Sequence, residues 1–265
     1  MHSLQEKCAH LQEILRAAGS VLVAFSGGVD STFLLKMAVD TLGSRAVALT
    51  VDSPFSPSGE LDGARELAGR MGARHLVLAM DPLSLPELAA NPRERCYLCK
   101  VELMKRCLAI AAEEGLGAVV EGSNLDDLAD YRPGKRALEE LGIRSPMLEA
   151  GLGKGDIRAK SRELGLPTWD KPSMACLASR FPYGMEITVA GLAMVRAAED
   201  HLAARGFRVY RVRHHGDTAR IELPEEELPR LLAGDLRREV VATFRTIGFR
   251  YVTVDLDGYR SGSMN

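Results

Sequence analysis

Three groups of residues have the types and spacing to do chemistry. The first is Ser26-Gly27-Gly28-Val29-Asp30-Ser31, which follows the short apolar run Val21–Phe25 and precedes a helical pattern over Thr32–Leu42. Glycines let the backbone approach an anion and adopt conformations other residues avoid. Free N–H groups and the helix dipole favour negative charge at a helix start. Ser26 and Ser31 add hydroxyl donors. Asp30 would repel an anion and reads instead as a magnesium ligand, because that ion takes one or two carboxylates together with phosphate oxygens. The competing reading is a glycine turn with Asp30 as a helix cap. No lysine follows the glycines, so this is not the Walker loop.

The second group is thiols. Cys96-Tyr97-Leu98-Cys99 places two of them one helical turn apart on one face. Cys176 lies in Lys171-Pro172-Ser173-Met174-Ala175-Cys176-Leu177-Ala178-Ser179-Arg180, where Lys171 and Arg180 would favour thiolate. Three thiolates suit an iron–sulfur cluster with one iron left open, or zinc with a fourth ligand. Alternatively Cys176 is a lone nucleophile and Cys96 and Cys99 pack. Cys8 and Cys107 sit in apolar helical settings and read as core. The third group is Arg211-Val212-Arg213, followed by His214 and His215, with Arg220 beyond. Alternation on a strand puts Arg211 and Arg213 on one side, where guanidinium forks match phosphate or carboxylate oxygens. A solvated polar strand face fits the pattern equally well.

These residues need elements to hold them. Apolar runs at Val21–Phe25 and Ala46–Val51 predict buried strands, with a third strand at His75–Ala79 and a fourth at Ala118–Glu121. Helical patterns at Leu4–Ala17, Thr32–Leu42, Glu60–Met71 and Arg95–Glu114 alternate with them, which predicts a doubly wound parallel sheet. Thr50, Asp52 and Ser53 then fall at the carboxyl end of the second strand, and Gly122 just past the fourth, where open α/β sheets bind nucleotides. Asp126 and Asp127 are a metal or capping pair. The pattern changes at Phe181-Pro182-Tyr183-Gly184. A helix at Val189–Arg205, strands at Arg208–Arg213 and Thr218–Leu223, a helical stretch from Pro224 to Ile247 and a strand at Arg250–Leu256 predict a smaller α+β domain. The expected division is 1–183, 184–260 and a mobile tail 261–265.

Composition narrows the classes. The 34 basic and 36 acidic residues nearly cancel, so no strong field draws the chain to nucleic acid or membrane. No run approaches the roughly 18 apolar residues of a membrane span, and the charged first 16 residues do not read as a signal peptide. The expectation is a cytoplasmic protein, where thiols stay reduced; the odd, scattered cysteines do not read as a disulfide framework, and the Cys96/Cys99 pair points first to metal or redox work.

The Ser26–Ser31 loop resembles the signature of the PP-loop family, which cleaves ATP between the α- and β-phosphates. Together with Thr50-Val51-Asp52-Ser53-Pro54, Asp130-Tyr131-Arg132-Pro133-Gly134, Cys176–Gly184 and Arg211–Arg213, it is similar over nearly the whole chain to the LarE family, ATP-dependent sulfur transferases of nickel-pincer nucleotide synthesis. That resemblance implies adenylation and thiolation of pyridinium-3,5-biscarboxylic acid mononucleotide, and a homo-oligomer. It implies that Cys176 carries sulfur and that Arg180, Glu199, Arg211 and Arg213 bind the substrate or its phosphate. It implies ATP and magnesium, and two modes of sulfur supply. In one, Cys176 surrenders its own sulfur. In the other, Cys96, Cys99 and Cys176 hold a [4Fe-4S] cluster that carries sulfide from a donor; the Cys96/Cys99 pair favours this mode. The rivals are a PP-loop tRNA thiolase, an ammonia-dependent synthetase, which would leave Cys176 idle, and a nonenzymatic nucleotide-binding or sulfur-storage module.

Overall fold

The computed structural model describes residues 3–128 and 134–260. Residues 130–133 of the Asp130–Gly134 motif, and the tail 261–265 expected to be mobile, lie outside the described residues. The chain divides into two compact units. The first comprises the described residues up to Ser53, Gly59–Met80 and Glu94–Ser173; the second comprises Pro54–Ser58, Asp81–Arg93 and the described residues from Met174 onward.

The first unit opens with α1 (Leu4–Ala18), started by a reciprocal cap between Ser3 and Glu6. Then follow β1 (Val21–Ala24), α2 (Val29–Leu42), β2 (Ala46–Asp52), α3 (Glu60–Arg70) and β3 (Arg74–Ala79). After α4 (Pro86–Ala89), a single turn of the second unit, come α5 (Arg95–Glu113), β4 (Ala118–Val120), α6 (Gly134–Glu140), α7 (Pro146–Glu149) and α8 (Lys154–Glu163). The strands pair in parallel in the order β3-β2-β1-β4. Strand alternation feeds two cores. Val21, Val23, Ala46, Ala48 and Val120 pack with α1, α2, α3 and α8. Leu22, Val47, Leu49 and Val119 pack against Met104, Cys107 and Ala111 of α5 and Leu138 of α6. Burial on both faces is why these strands read as unbroken apolar runs. The doubly wound parallel sheet is as expected, and the chain reverses its order between β1 and β4, which opens a crevice at their carboxyl ends.

The second unit holds α9 (Val189–Ala204), β5 (Arg211–His215), β6 (Thr218–Glu222), α10 (Leu228–Leu232), α11 (Gly234–Ile247) and β7 (Tyr251–Val254). β6 lies central, antiparallel to β5 and parallel to β7. Ala198 and Leu202 of α9 and Phe244 of α11 pack on Val212, Ala219 and Ile221. β5 starts at Arg211 rather than Arg208. Its ladder begins at Arg211 opposite Glu222, and Pro224, which has no N–H, stands just beyond β6. The helical stretch after Pro224 is broken, because Ala233 is extended (φ −76°, ψ 136°) and Gly234 has φ 50°.

The expected boundary at 183/184 falls inside the second unit. Contacts distant in sequence draw residues 174–187 into it. Leu177 N–H donates to Phe55 O (2.8 Å), Gly184 N–H to Asn91 O (2.8 Å) and Ile187 N–H to Ala89 O (2.8 Å). Arg196 of α9 donates to Pro54 O and Ser56 O. Phe55, Leu177, Phe181, Ile187, Leu192 and Val195 form one apolar cluster.

Candidate functional site

In the first unit the strand-to-helix turn after β1 forms an anion cradle. α2 begins at Val29, so Asp30 and Ser31 lie in its first turn rather than in a preceding loop. Gly28 is the N-cap and no side chain caps the helix, which leaves its amino end for an outside acceptor. Gly27 has φ 68° and a Cβ there would stand 3.5 Å from Ala64, so this position needs glycine for its backbone conformation. The two hydroxyls brace the turn: Ser31 Oγ donates to Gly28 O (3.3 Å), Ser26 N–H donates to Ser31 Oγ (3.3 Å), and the two Oγ atoms are 3.1 Å apart.

Asp30 answers the test for a magnesium ligand. Among the described residues its Oδ1 is buried without a hydrogen-bond partner, while Oδ2 accepts from Lys154 Nζ at 2.5 Å. The residues fit the ion, with one carboxylate oxygen spare and the other held by the Lys154 ammonium. Sequence reading missed Lys154, and it did not foresee the contact that Lys171 makes with the phosphate turn. Lys171 Nζ donates to Gly27 O (3.0 Å), in the phosphate turn. Both lysines are remote in sequence from that turn, so no local motif signals them.

The remaining nucleotide candidates divide. Thr50 is buried, and its hydroxyl donates to Phe25 O (2.8 Å) and faces His75 Nε2 (2.8 Å). That side chain supports the residue before the turn, which leaves only main chain at Thr50 for a base. Burial, and then the charge of Arg65, hold His75 below its ordinary value. Asp52 is exposed and Ser53 half-buried at the end of β2. Gly122 abuts α2: a Cβ there would stand 3.2 Å from Ser31 N and 3.4 Å from Asp30 Cβ. Asp126 and Asp127 act as caps, accepting from Lys154 N–H (2.6 Å) and Asn124 N–H (3.0 Å).

The second unit assembles a different kind of site. Cys176 is exposed, yet its backbone is pinned on both sides. Leu177 N–H reaches Phe55 O, and Cys176 O accepts from Ser179 N–H (3.0 Å) and Arg180 Nη1 (3.3 Å). Arg180 is fully buried and also donates to Ala175 O (2.9 Å) and Ser179 Oγ (2.9 Å). Its other edge makes a fork with Glu199, Nε to Oε1 at 2.8 Å and Nη2 to Oε2 at 2.9 Å. Glu199 Oε1 also accepts from Val212 N–H (2.9 Å). Arg180 and Glu199, expected to bind substrate, thus face each other and tie the Cys176 turn to α9 and β5. A buried guanidinium must be paired, and these are its partners.

Arg211 and Arg213 do share one side of β5, opposite the core residue Val212. Arg213 donates to Ser179 O (3.0 Å) and Glu222 (2.6 Å). Glu222 accepts from Arg220 as well (3.0 Å). Arg211 donates to Tyr210 O (2.6 Å) and lies 5.0 Å from the ring centre of Tyr259. Burial, and next the charge of Arg180, lower its hold on the proton. Among the described residues, Arg180 pairs with Glu199, Arg213 with Glu222, and Arg220 with both Glu222 and Asp255.

The cysteines separate by exposure. Cys8 and Cys107 are buried, and burial raises both thiols, Cys107 to about 11. Cys96 is exposed and Cys99 half-exposed near the start of α5, and Arg95 Nη2 lies 3.7 Å from Cys96 Sγ. Cys96 and Cys99 belong to the first unit and Cys176 to the second. Among the described residues, no group of three or more His, Cys, Asp or Glu side chains is gathered as a metal site. Also among them, no helix is long and apolar enough to cross a membrane.

Comparison with known proteins extends this picture. The asparagine synthase family profile matches residues 10–92. An uncharacterized protein of Synechocystis sp. is 44% identical over 99% of this chain and 98% of its own length. The pyridinium-3,5-bisthiocarboxylic acid mononucleotide synthase of Lactiplantibacillus plantarum is 42% identical, covering 100% of this chain and 96% of its own. An uncharacterized protein of Methanocaldococcus jannaschii is 30% identical over 91% of each.

Proposed function

The chain belongs to the LarE family within the PP-loop proteins, and from that premise we propose that it uses ATP to convert the carboxylates of pyridinium-3,5-biscarboxylic acid mononucleotide to thiocarboxylates. A single observation supports the sulfur step: Cys176 presents an exposed thiol from a backbone clamped by Arg180 and Phe55.

The amino end of α2 and the Ser26–Ser31 turn hold the ATP phosphates, with main chain at Thr50–Ser53 and Gly122 beside the nucleoside. Asp30 would hold magnesium, which supplies charge neutralisation at the phosphates. A substrate carboxylate oxygen attacks the α-phosphorus, and pyrophosphate leaves. The resulting acyl adenylate carries AMP as leaving group. A sulfur nucleophile delivered at Cys176 attacks the acyl carbon, the C–O bond to AMP breaks, and a thiocarboxylate forms. Arg211 and Arg213 hold the substrate's phosphate, and Arg180 with Glu199 position the Cys176 turn.

For the sulfur source we favour Cys96, Cys99 and Cys176 as holders of a [4Fe-4S] cluster, which would supply an open iron for added sulfide. Support comes from their exposure, which sets them apart from Cys8 and Cys107. The test is anaerobic turnover with ATP, substrate and sulfide, followed by iron analysis and intact mass. The expected result is bound iron, repeated cycles, an unchanged Cys176 and an inactive Cys96→Ala variant. Loss of the mass of H₂S at Cys176 with an active Cys96→Ala variant would establish the sacrificial mode instead. Pyrophosphate release driven by RNA rather than by the mononucleotide would overturn the substrate assignment.

A further inference from the structure

The Asp30 carboxylate is already held by a cation belonging to the chain itself. Lys154 Nζ sits 2.5 Å from Oδ2, with the two side chains 33% and 25% exposed. Magnesium binds carboxylate oxygens at about 2.0–2.1 Å in strict octahedral geometry. An ammonium at hydrogen-bond distance and a divalent ion at bonding distance repel each other strongly on one carboxylate. With Oδ1 spare for the metal and Oδ2 held by the ammonium, each cation weakens the other's hold on this carboxylate.

The surrounding contacts indicate which part can move. The Lys154 main chain is fixed, because its N–H donates to Asp126 Oδ2 and it starts α8, which packs on α2. Its four-carbon stem is flexible and partly exposed. Lys171 contrasts with it. Arg158, one turn along α8 from Lys154, donates to Trp169 O (2.8 Å) and Lys171 O (3.0 Å). That brace aims Lys171 Nζ at Gly27 O, where it fixes a carbonyl of the phosphate turn. Lys171 is therefore a built part of the cradle, and Lys154 is the exchangeable cation beside it.

We infer that Lys154 is a tethered cation that occupies Asp30 in the nucleotide-free protein and transfers to the ATP polyphosphate when magnesium takes its place. The inference rests on the reading of Asp30 as the magnesium ligand. It adds a residue that touches the leaving pyrophosphate and a reason for ordered binding. Free metal competes poorly with the resident ammonium, whereas metal arriving with ATP brings the phosphate oxygens that receive Lys154.

Lys154→Met and Lys154→Arg test this by direct binding. Paramagnetic resonance measures Mn²⁺ affinity of the nucleotide-free protein, and calorimetry measures inorganic pyrophosphate with magnesium present. In Lys154→Met, Mn²⁺ should bind roughly 10- to 100-fold tighter and pyrophosphate weaker by a similar factor, the range of one charge-assisted contact. Lys154→Arg, which keeps the charge, should stay close to wild type in Mn²⁺ affinity. Thermal unfolding of both variants checks the fold, and Lys154→Gln replaces the methionine variant if that one is unfolded. An unchanged or weaker Mn²⁺ affinity in Lys154→Met, or an undiminished pyrophosphate affinity, overturns the inference. Asp30→Asn separates the two claims. Mn²⁺ binding that ignores Asp30→Asn overturns the metal-ligand reading itself, whereas Asp30-dependent binding untouched by Lys154→Met overturns only the exchange.

Discussion

On the function proposed above, the two units attract anions by opposite means. In the first, the attraction comes from backbone: an uncapped helix start, a glycine at positive φ and hydroxyls that brace one turn. In the second it comes from side chains, with Arg180, Arg211 and Arg213 buried among Glu199 and Glu222. The difference teaches where function and stability separate. In the backbone cradle Gly27 must stay glycine, but Asp30 carries one buried oxygen with no partner among the described residues, so its carboxylate serves the site more than the fold. A buried guanidinium network must be paired at all times, so the groups that favour a substrate anion also hold the unit together.

The largest effect that would sharpen this contrast is at Asp30. Asp30→Asn should fold normally and lose pyrophosphate release, because removing a metal ligand costs several kcal/mol of transition-state charge stabilisation. Urea unfolding and a pyrophosphate assay check both halves; near-normal release by the folded variant breaks the assignment. Next comes Glu199→Ala, which strands Arg180 without its fork and Val212 without its acceptor. Breaking a buried pair of this kind costs about 3–5 kcal/mol, so the urea midpoint should fall sharply. A midpoint close to wild type would mean that the second unit does not depend on its charge network.

Smaller is Arg211→Ala. It should weaken binding of the mononucleotide by roughly 1.5–3 kcal/mol and leave ATP binding intact, as measured by calorimetry with each ligand. Unchanged substrate affinity would return β5 to a merely structural face. The smallest effect is that of pH. Burial is the first cause holding His201, His214 and His215 of the second unit, and His75 of the first, below the ordinary histidine value. Above that value both folded and unfolded forms are neutral and nothing changes. As pH falls below about 6.5 the unfolded chain takes up protons that the folded chain resists, so stability falls. With three such histidines against one among the described residues, mild acid should lower protection of second-unit amides more than first-unit amides. Hydrogen exchange at neutral and mildly acid pH measures this, and equal losses in both would break the contrast.

Much of the first unit was legible along the chain. Strand runs, the glycine turn and the helix after it depend on residues within a few positions of one another, and the observed elements match within one to three residues. Helices α6 to α8 were not foreseen. Short or strongly polar, they carry too little apolar periodicity to signal a helix. The second unit was legible only in outline, because 54–58 and 81–93 join it through contacts with residues far along the chain.

By itself, then, the sequence determined the cradle and the thiol inventory, because helix-start amides, glycine conformations and strand alternation are local physics. Tertiary structure alone decided what surrounds them. Lys154 and Lys171 reach the phosphate turn across 124 and 144 residues. Glu199 receives Arg180 and the Val212 amide, a brace that residue order does not announce. Ion pairs and buried hydrogen bonds are set by distance in space, which residue order along the chain does not reveal.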